Sequence, residues 1–421
     1  IEDSDSKKYN SSCSFFYIFH DSFRDYSLKL VEGDCQSVDT IQKTTYSSIS
    51  DILSLITELG KHVPIGQNKI FTKKIHNLLS NPSLTLFHNS DSLNTIFGYP
   101  SLFPFELRHF AFKMMAYEPR AATQAWAKEF NMSAKRMPSN DALKITVHRN
   151  SIFTDGVELF NELSSGPFRF EVSFHNEEGI GYGPTHEFFT LFSQELCKNE
   201  RKLFRTESMI KNQMATDKQG LFFSPCIRPK AASLLGKFLA KTIQMECLIS
   251  IPFNPALFKF LQNPQSVELK EVDPQLFHSL SHPEGLIGLN FVYPGYNIEL
   301  CENGENIEVT ADNLDEFVKS IQSFTCGDHM LPIRDAFIDG FNTVFPFKYL
   351  DVFTHDEINK ILQGESPAIK MGDLLNYVEI SHGYTVQSKE IMMLFEIITE
   401  MTKDEQSQLI QFITGYTQLP I

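Results

Sequence analysis

Within residues 168–196, FRFEVSFHNEEGIGYGPTHEFFTLFSQEL, the hydrophobic period changes once, and this change constrains the fold more than any other feature of the chain. FRFEVSFHN alternates apolar and polar residues of aromatic and β-branched type, the pattern of a half-buried strand. Asn176, Glu177 and Glu178 follow as a turn and Gly179 and Gly181 free the backbone. Pro184 then stands in the first turn of a helix bearing Phe188, Phe189, Leu191 and Phe192. Glycine-rich turns of this kind can cradle a phosphate, but the dinucleotide fingerprint needs a third glycine where Pro184 stands. The stretch reads as strand, acidic turn and helix, with a structural role.

The surrounding segments follow the same two periods. ALKITVHRN, residues 142–150, is a second strand, and VELFNELSS between the two strands is a helix. SLLGKFLAKTIQMECLIS, residues 233–250, carries Leu234, Leu235, Phe238, Leu239, Thr242 and Ile243 on one stripe, as a core-facing helix does. Residues 287–309 read as hairpins, with Pro294-Gly295 and Asn303-Gly304 as turn dipeptides. Helices are expected at NLDEFVKSIQSF, RDAFIDGFNTVFP, THDEINKILQG, KEIMMLFEIITEM and DEQSQLIQFITG, and no internal repeat is evident. Upstream, residues 1–50 are irregular and residues 52–87 hold short amphipathic pieces cut by Pro64 and Pro82. Residues 103–126 are expected to pack as a helical hairpin. The fold class is α+β, mainly helical.

Composition excludes several functions. A length of 421 residues implies two to four compact units. The net charge of -15, with basic residues scattered, argues against nucleic acid and against an anionic membrane surface. No apolar run reaches membrane-helix length and the first residues are not a secretory signal, so a soluble, intracellular protein is expected. Seven cysteines, Cys13, Cys35, Cys197, Cys226, Cys247, Cys301 and Cys326, contain no CxxC pair and read as reduced buried thiols. No metal site is expected, because His186-Glu187 lacks a second histidine and Cys326 with His329 supplies at most two ligands. A serine nucleophile elbow is absent, and no cofactor is called for. The residues alone identify no active site.

The order of the segments carries more. FEVSFHNEEGIGYGPTHEFFTLFSQEL resembles the signature of the HECT ubiquitin ligases. The rest agrees in register: LLGKFLAKTIQMECLISIPFNPALFKFL, LNFVYPGYNIEL, NLDEFVKSIQSF, IRDAFIDGFNTVFPFKYLDVFTHDEINKILQG, HGYTVQSKEIMMLFEIITEM and LIQFITGYTQLPI. The resemblance covers residues 101–421. FPFELRHFAFKMMAYEPRAATQ and NTVFPFKYLDVF look most like the ubiquitin-fusion-degradation and thyroid-receptor-interacting branch.

This resemblance implies a two-lobed fold. Residues 1–100 would be an upstream flank and 101–363 a complete N-lobe with large and small subdomains. Within it, about 253–328 would be the small subdomain that docks a ubiquitin-conjugating enzyme. Gly364, Glu365, Ser366 and Pro367 would be the hinge, and 368–421 the first half of a C-lobe. The implied partners are a conjugating enzyme, ubiquitin and a protein substrate, in cytoplasm or nucleus. Ubiquitin passes from the conjugating enzyme to a C-lobe cysteine as a thioester and then to a substrate lysine, a step suited to a thiolate. The family cysteine lies beyond the motif matched by LIQFITGYTQLPI, so it is expected beyond Ile421, and this chain is expected to dock but not to transfer. A non-catalytic scaffold that binds the conjugating enzyme, a degenerate ligase, is the alternative. The docking face implied by the resemblance comprises Leu276, Leu280, Leu289, Phe291, Phe317 and Ile321.

Overall fold

The computed structural model describes residues 96–98, 100, 105–116, 143–162, 170–179, 181–207, 210–211, 213–282, 285–365, 368–414, 416 and 418–419. The irregular flank and the amphipathic pieces expected before residue 96 lie outside the described residues, as do Cys13, Cys35 and residues 117–126 of the expected helical hairpin.

In chain order the elements are α1 (Phe105–Ala116), β1 (Leu143–Val147), α2 (Ile152–Glu162), β2 (Phe170–Phe174), α3 (Tyr182–Leu196) and α4 (Pro229–Gln244). There follow α5 (Pro255–Gln262), α6 (Leu269–Val272), α7 (Pro274–Leu280), α8 (Leu314–Cys326), α9 (Leu331–Asn342) and α10 (His355–Gln363). The series closes with α11 (Met371–Tyr377), α12 (Lys389–Glu400) and α13 (Lys403–Thr414). The chain divides into two compact units. One comprises residues 1–139 and 345–354, the other residues 140–344 and 355–421.

In the first unit α1 packs on the turn at Phe347–Val352. Phe112 meets Phe345 and Phe353 edge-on, at ring-centroid distances of 5.6 and 5.2 Å. Such pairs are the favoured geometry of aromatic quadrupoles. Arg108 is buried and its Nη1 donates to the carbonyl of Val352 at 2.6 Å, which satisfies a polar head inside an apolar contact. The two stretches that carry the branch resemblance, FPFELRHFAFKMM and FPFKYLDVF, therefore form one contact across more than two hundred residues. His109 lies in it, with its ring 5.2 Å from Phe105 and 6.0 Å from Phe353. Burial, and secondarily Lys113, lowers its pKa from 6.5 to about 3.

In the second unit β1 and β2 pair in parallel, Leu143 opposite Phe170 through Val147 opposite Phe174, with α2 as the crossover. A parallel pair requires such a crossover. β2 alternates as its sequence predicts, with Phe170, Val172 and Phe174 buried. β1 is exposed along most of its length and buries only Val147. Helix α3 covers β2 with Phe188, Phe189 and Phe192, all fully buried. It begins after Gly181, whose φ of 85° needs a glycine. The acidic turn before it is held by Arg149, which donates to Glu177 and to Glu187 at 2.9 and 2.7 Å and lies 4.0 Å over the ring of Phe174. Arg149 thus joins the turn, through Glu177, to α3, through Glu187.

The centre of the unit is the crossing of α4 and α9. Gly236 meets the backbone of Phe337 and Gly340 meets that of Ser233 so closely that a Cβ on either would stand 2.1 Å from a carbonyl oxygen. The helix read over residues 233–250 begins earlier, at Pro229, and stops at Gln244. Glu246 then takes a φ of 57°, which ends the helical run and sends Cys247, Leu248 and Ile249 into the core.

Two expectations follow. Gly340→Ala should lower stability by about 1–3 kcal/mol or more, as overpacking of a tight core does, read as a reduced denaturant midpoint with unchanged slope. Because His109 is neutral in the folded chain down to about pH 3, the unfolded chain gains a proton first. The contribution of His109 is therefore complete above pH 6.5 and declines as pH falls from 6.5 toward 3. Thermal unfolding of the first unit at pH 7 and pH 5 should show a drop that is smaller in His109→Phe.

Candidate docking surface and family

The candidate site is built on residues 253–328. Asn254 caps α5 by accepting the amide hydrogen of Ala256 at 2.8 Å, and Asp273 caps α7 by accepting that of Leu276 at 2.8 Å. Glu268 and Glu271 form a capping box at α6, and Glu271 also takes Lys259 at 2.7 and 2.9 Å. Three short helices are thereby fixed with little core of their own.

The remainder is held by a ribbon instead of a full hairpin ladder. The hairpins expected over 287–309 appear as isolated antiparallel bridges, Asn290 to Glu308 and Val292 to Glu299. The amide of Gly288 donates to Val309 O at 3.0 Å, that of Val309 to Leu289 O at 2.7 Å, and that of Phe291 to Ile307 O at 3.0 Å. The predicted turns are present. Gly295 has a φ of 76° and Asn303 a φ of 57°. Gly304 sits so close to the carbonyl of Phe291 that a Cβ would lie 2.4 Å from it. This crowding bends the ribbon before a regular ladder can extend.

Beneath the ribbon lies a core of Leu286, Phe291, Tyr293, Tyr296, Leu300, Val309, Phe317 and Ile321, with Leu276 and Leu280 packed partly buried against it. Phe291 and Phe317 meet edge-on at 5.3 Å. The structure thus separates the six residues that the resemblance placed on a docking face. Phe291, Phe317 and Ile321 are 3%, 0% and 0% exposed and form the floor. They cannot touch a partner in this conformation, because the α8 stripe of Phe317 and Ile321 turns inward beneath the ribbon and Phe291 points down from the ribbon onto Phe317. Leu289 is 44% exposed, and Leu276 and Leu280 lie at the margin. Ile287 and Ile307, which sequence reasoning missed, are the other exposed apolar residues of the ribbon. No period-2 signal finds them, because Ile287 and Leu289 are exposed while Phe291, in the same alternation, is buried, and Ile307 is exposed while Val309 is buried.

The underside of this subdomain is tied down by a buried polar network. Arg205 donates to the hydroxyl of Tyr293 and pairs with Asp273. Tyr293 Oη lies 2.7 Å from Thr325 Oγ1, and the amide of Thr206 donates to Tyr296 Oη at 3.0 Å. Burial opposes the charge on Arg205, but Tyr293, Asp273 and Tyr296 outweigh it and hold the guanidinium protonated. Breaking one partner of such a pair strands the other, a cost of about 3–5 kcal/mol. On the other side of α7 an open cleft of about 460 Å³ is walled by Val267, Leu269, Phe277, Lys319 and Cys326.

Neither Cys197 nor Cys326 is an activated thiol. Burial pushes Cys197 up to about 12 and Cys326 up to about 11, so both are protonated at neutral pH. None of the five described cysteines is in a disulfide. Among the described residues no group of three or more His, Cys, Asp or Glu could hold a metal ion, and no helix is long and apolar enough to cross a membrane. Of the hinge residues, Gly364 and Glu365 are described and Ser366 and Pro367 lie outside the described residues. Gly364 has a φ of 74° and ends α10 by donating to Lys360 O at 2.7 Å.

The chain belongs to the HECT-domain (ubiquitin-transferase) family, whose model matches residues 190–421, more than half of it. It is 27% identical to the E3 ubiquitin-protein ligase TRIP12 of Danio rerio, over 85% of this chain and 21% of that protein. It is 29% identical to a probable ubiquitin fusion degradation protein of Schizosaccharomyces pombe, over 77% of this chain and 22% of that one. To ubiquitin fusion degradation protein 4 of Saccharomyces cerevisiae it is 25% identical, over 77% of this chain and 25% of that protein. The chain spans about a fifth to a quarter of the length of these relatives.

The burial pattern separates floor from surface by mutation. Phe317→Ala should destabilise the subdomain by about 3–5 kcal/mol, as a large-to-small core change does. Leu289→Ser should leave the unfolding midpoint within about 0.5 kcal/mol of the parent, as exposed substitutions do. Denaturant unfolding of the two variants checks the pair, and equal stabilities would contradict the assignment.

Proposed function

We propose that this chain is the part of a HECT-type ubiquitin ligase that docks a ubiquitin-conjugating enzyme, through the ribbon face of residues 253–328. Residues 101–363 serve as the N-lobe, 364–367 as the hinge and 368–421 as the start of the C-lobe. The observation that carries the docking face is the exposed apolar triplet Ile287, Leu289 and Ile307 set within carboxylates. Residues 285–318 contain seven Asp or Glu, among them Glu299, Glu305, Glu308 and Asp315, and no Lys or Arg; all seven are exposed. An apolar patch with a polar rim is the anatomy of a protein interface. A rim of one sign steers a partner of the other sign. The conjugating enzyme that fits therefore presents an apolar anchor flanked by Lys or Arg.

The reaction of the whole ligase moves ubiquitin from the conjugating enzyme's thioester to a ligase cysteine. The attacking thiolate forms a new thioester as the conjugating enzyme's thiolate leaves, and a substrate lysine amine then takes the acyl group to give an amide. Residues 368–421 contain no cysteine, and among the described thiols of the body those of Cys197, Cys247 and Cys326 are buried. Residues 253–328 therefore serve docking, and no described thiol is assigned the thioester step.

Titration calorimetry with a panel of ubiquitin-conjugating enzymes tests the reading. Leu289→Asp should weaken binding about tenfold or more while the fold is kept, since exposed apolar anchors near an interface centre carry most of its energy. Affinity should fall severalfold, on the order of a factor of 3–10, as salt is raised, because the steering is screened. Incubation with activating enzyme, conjugating enzyme, ubiquitin and ATP should give no reductant-sensitive adduct on the chain. Binding indifferent to both Leu289→Asp and salt would remove the docking face, and an adduct on any of its cysteines would remove the docking-only role.

A further inference from the structure

The residues after α13 return to the body of the second unit. Tyr416 lays its ring against His186 of α3, 4.8 Å between centroids, and its hydroxyl is buried beside Cys247. Leu419 forms an antiparallel bridge with Glu365. The amide of Glu365 donates to Leu419 O at 2.8 Å and the amide of Leu419 donates to Glu365 O at 2.9 Å. Next to the bridge there is no spare room, since a Cβ on Gly364 would stand 2.4 Å from Leu419 O and 3.0 Å from the side chain of Leu248. The preceding turn is itself tied inward, because the amide of Ile249 donates to Leu362 O at 2.9 Å. Residues 362–365 therefore lie between the backbone at 249 and the backbone at 419.

The intervening helices are tied together. Gln406 on α13 is buried, accepts the amide hydrogen of Ile369 at 3.0 Å, and donates to the carbonyls of Ile369 and Ile398 at 3.2 and 3.0 Å. One side chain thus joins the entry to α11, the end of α12 and the first turn of α13. A piece held together in this way and attached at one end only would be free to swing about residues 364–367. Here it is attached at both ends.

We propose that Tyr416–Leu419 is a clasp on the hinge: the bridge to Glu365 and the stack on His186 hold the hinge in one setting, and α11–α13 swing only when both part. The proposal rests on the reading of 364–367 as the hinge. It adds that the hinge has a second, non-covalent lock supplied by the chain some fifty residues later. Gly364 is the residue that permits the clasp to close, because a positive φ and the absence of a Cβ are both needed where Leu419 crosses. The bridge is short and lies at the surface, the kind of contact that opens well below the cost of global unfolding.

Amide exchange and limited trypsin cleavage of the full chain test this. In the parent, peptides covering 364–365 and 418–419 should exchange at least about tenfold more slowly than free amides, and cleavage after Lys370 should be slow. Leu419→Pro removes one donor of the bridge. It should abolish that protection and speed cleavage after Lys370 about tenfold, with the protection of α4 unchanged. Free-rate exchange at Glu365 in the parent, or a Leu419→Pro chain cleaved at the parental rate, overturns the clasp. Should Leu419→Pro also unfold α4, the double variant Glu365→Cys with Leu419→Cys decides. It must cross-link on oxidation in the folded chain and slow cleavage after Lys370, and failure to do so overturns the proposal. Conjugating-enzyme binding measured on the same variants keeps the two readings apart. Failure of the parent to bind tells against docking, whereas a parent that binds but shows free-rate exchange at Glu365 tells against the clasp alone.

Discussion

The close crossing of α4 and α9 places backbone against backbone at Gly236 and Gly340, and most of the second unit is positioned by it. α4 ends in the turn that delivers Cys247 and Ile249 to the core and Phe253 to the entrance of the small subdomain. α9 receives the chain from that subdomain through the buried Met330, and its Arg334 Nε donates to Leu261 O at the end of α5 at 2.9 Å. The entrance and the exit of residues 253–328 are thus set by one helix pair whose separation no side chain can adjust. Interiors packed to this density transmit displacement instead of absorbing it.

The small subdomain shows how a piece too small for an independent core is stabilised. Its helices are short and individually marginal. They gain order from side-chain caps at Asn254, Glu268 and Asp273, from one compact aromatic floor, and from Arg205, which lies outside the subdomain in sequence. Asp273 serves twice, as the cap of α7 and as the partner of Arg205, so helix start and subdomain attachment are coupled through one carboxylate. The ribbon then needs few backbone hydrogen bonds of its own, and it leaves Ile287, Leu289 and Ile307 in solvent above the floor.

Much of this was legible from residue order. The strands at 143–147 and 170–174, the helix after Gly181, and α8, α9, α10, α12 and α13 follow from period and breaker residues, because their stripes are long enough to distinguish 2 from 3.6. The short helices α6, α7 and α11 were not predicted, since four to seven residues hold too little periodicity. The burial of the candidate face was not legible. Phe317 and Ile321 lie on one stripe of α8, and nothing in a stripe says whether it meets a partner or a floor. Only the ribbon folded across that stripe decides it, through pairings such as Phe291 with Phe317.

Sequence by itself determined the class of the protein, its mainly helical character and the place of its punctuation, because those depend on local period, on Gly and Pro backbone limits, and on a linear order of motifs. Tertiary structure alone decided which apolar residues face solvent, that Arg149 joins the acidic turn to α3, that Arg205 reaches Tyr293 and Asp273, and that Leu419 returns to Glu365. These last are contacts between residues tens of positions apart. Their energies depend on burial and on orientation within hydrogen-bond reach, quantities that exist only once the chain has closed on itself.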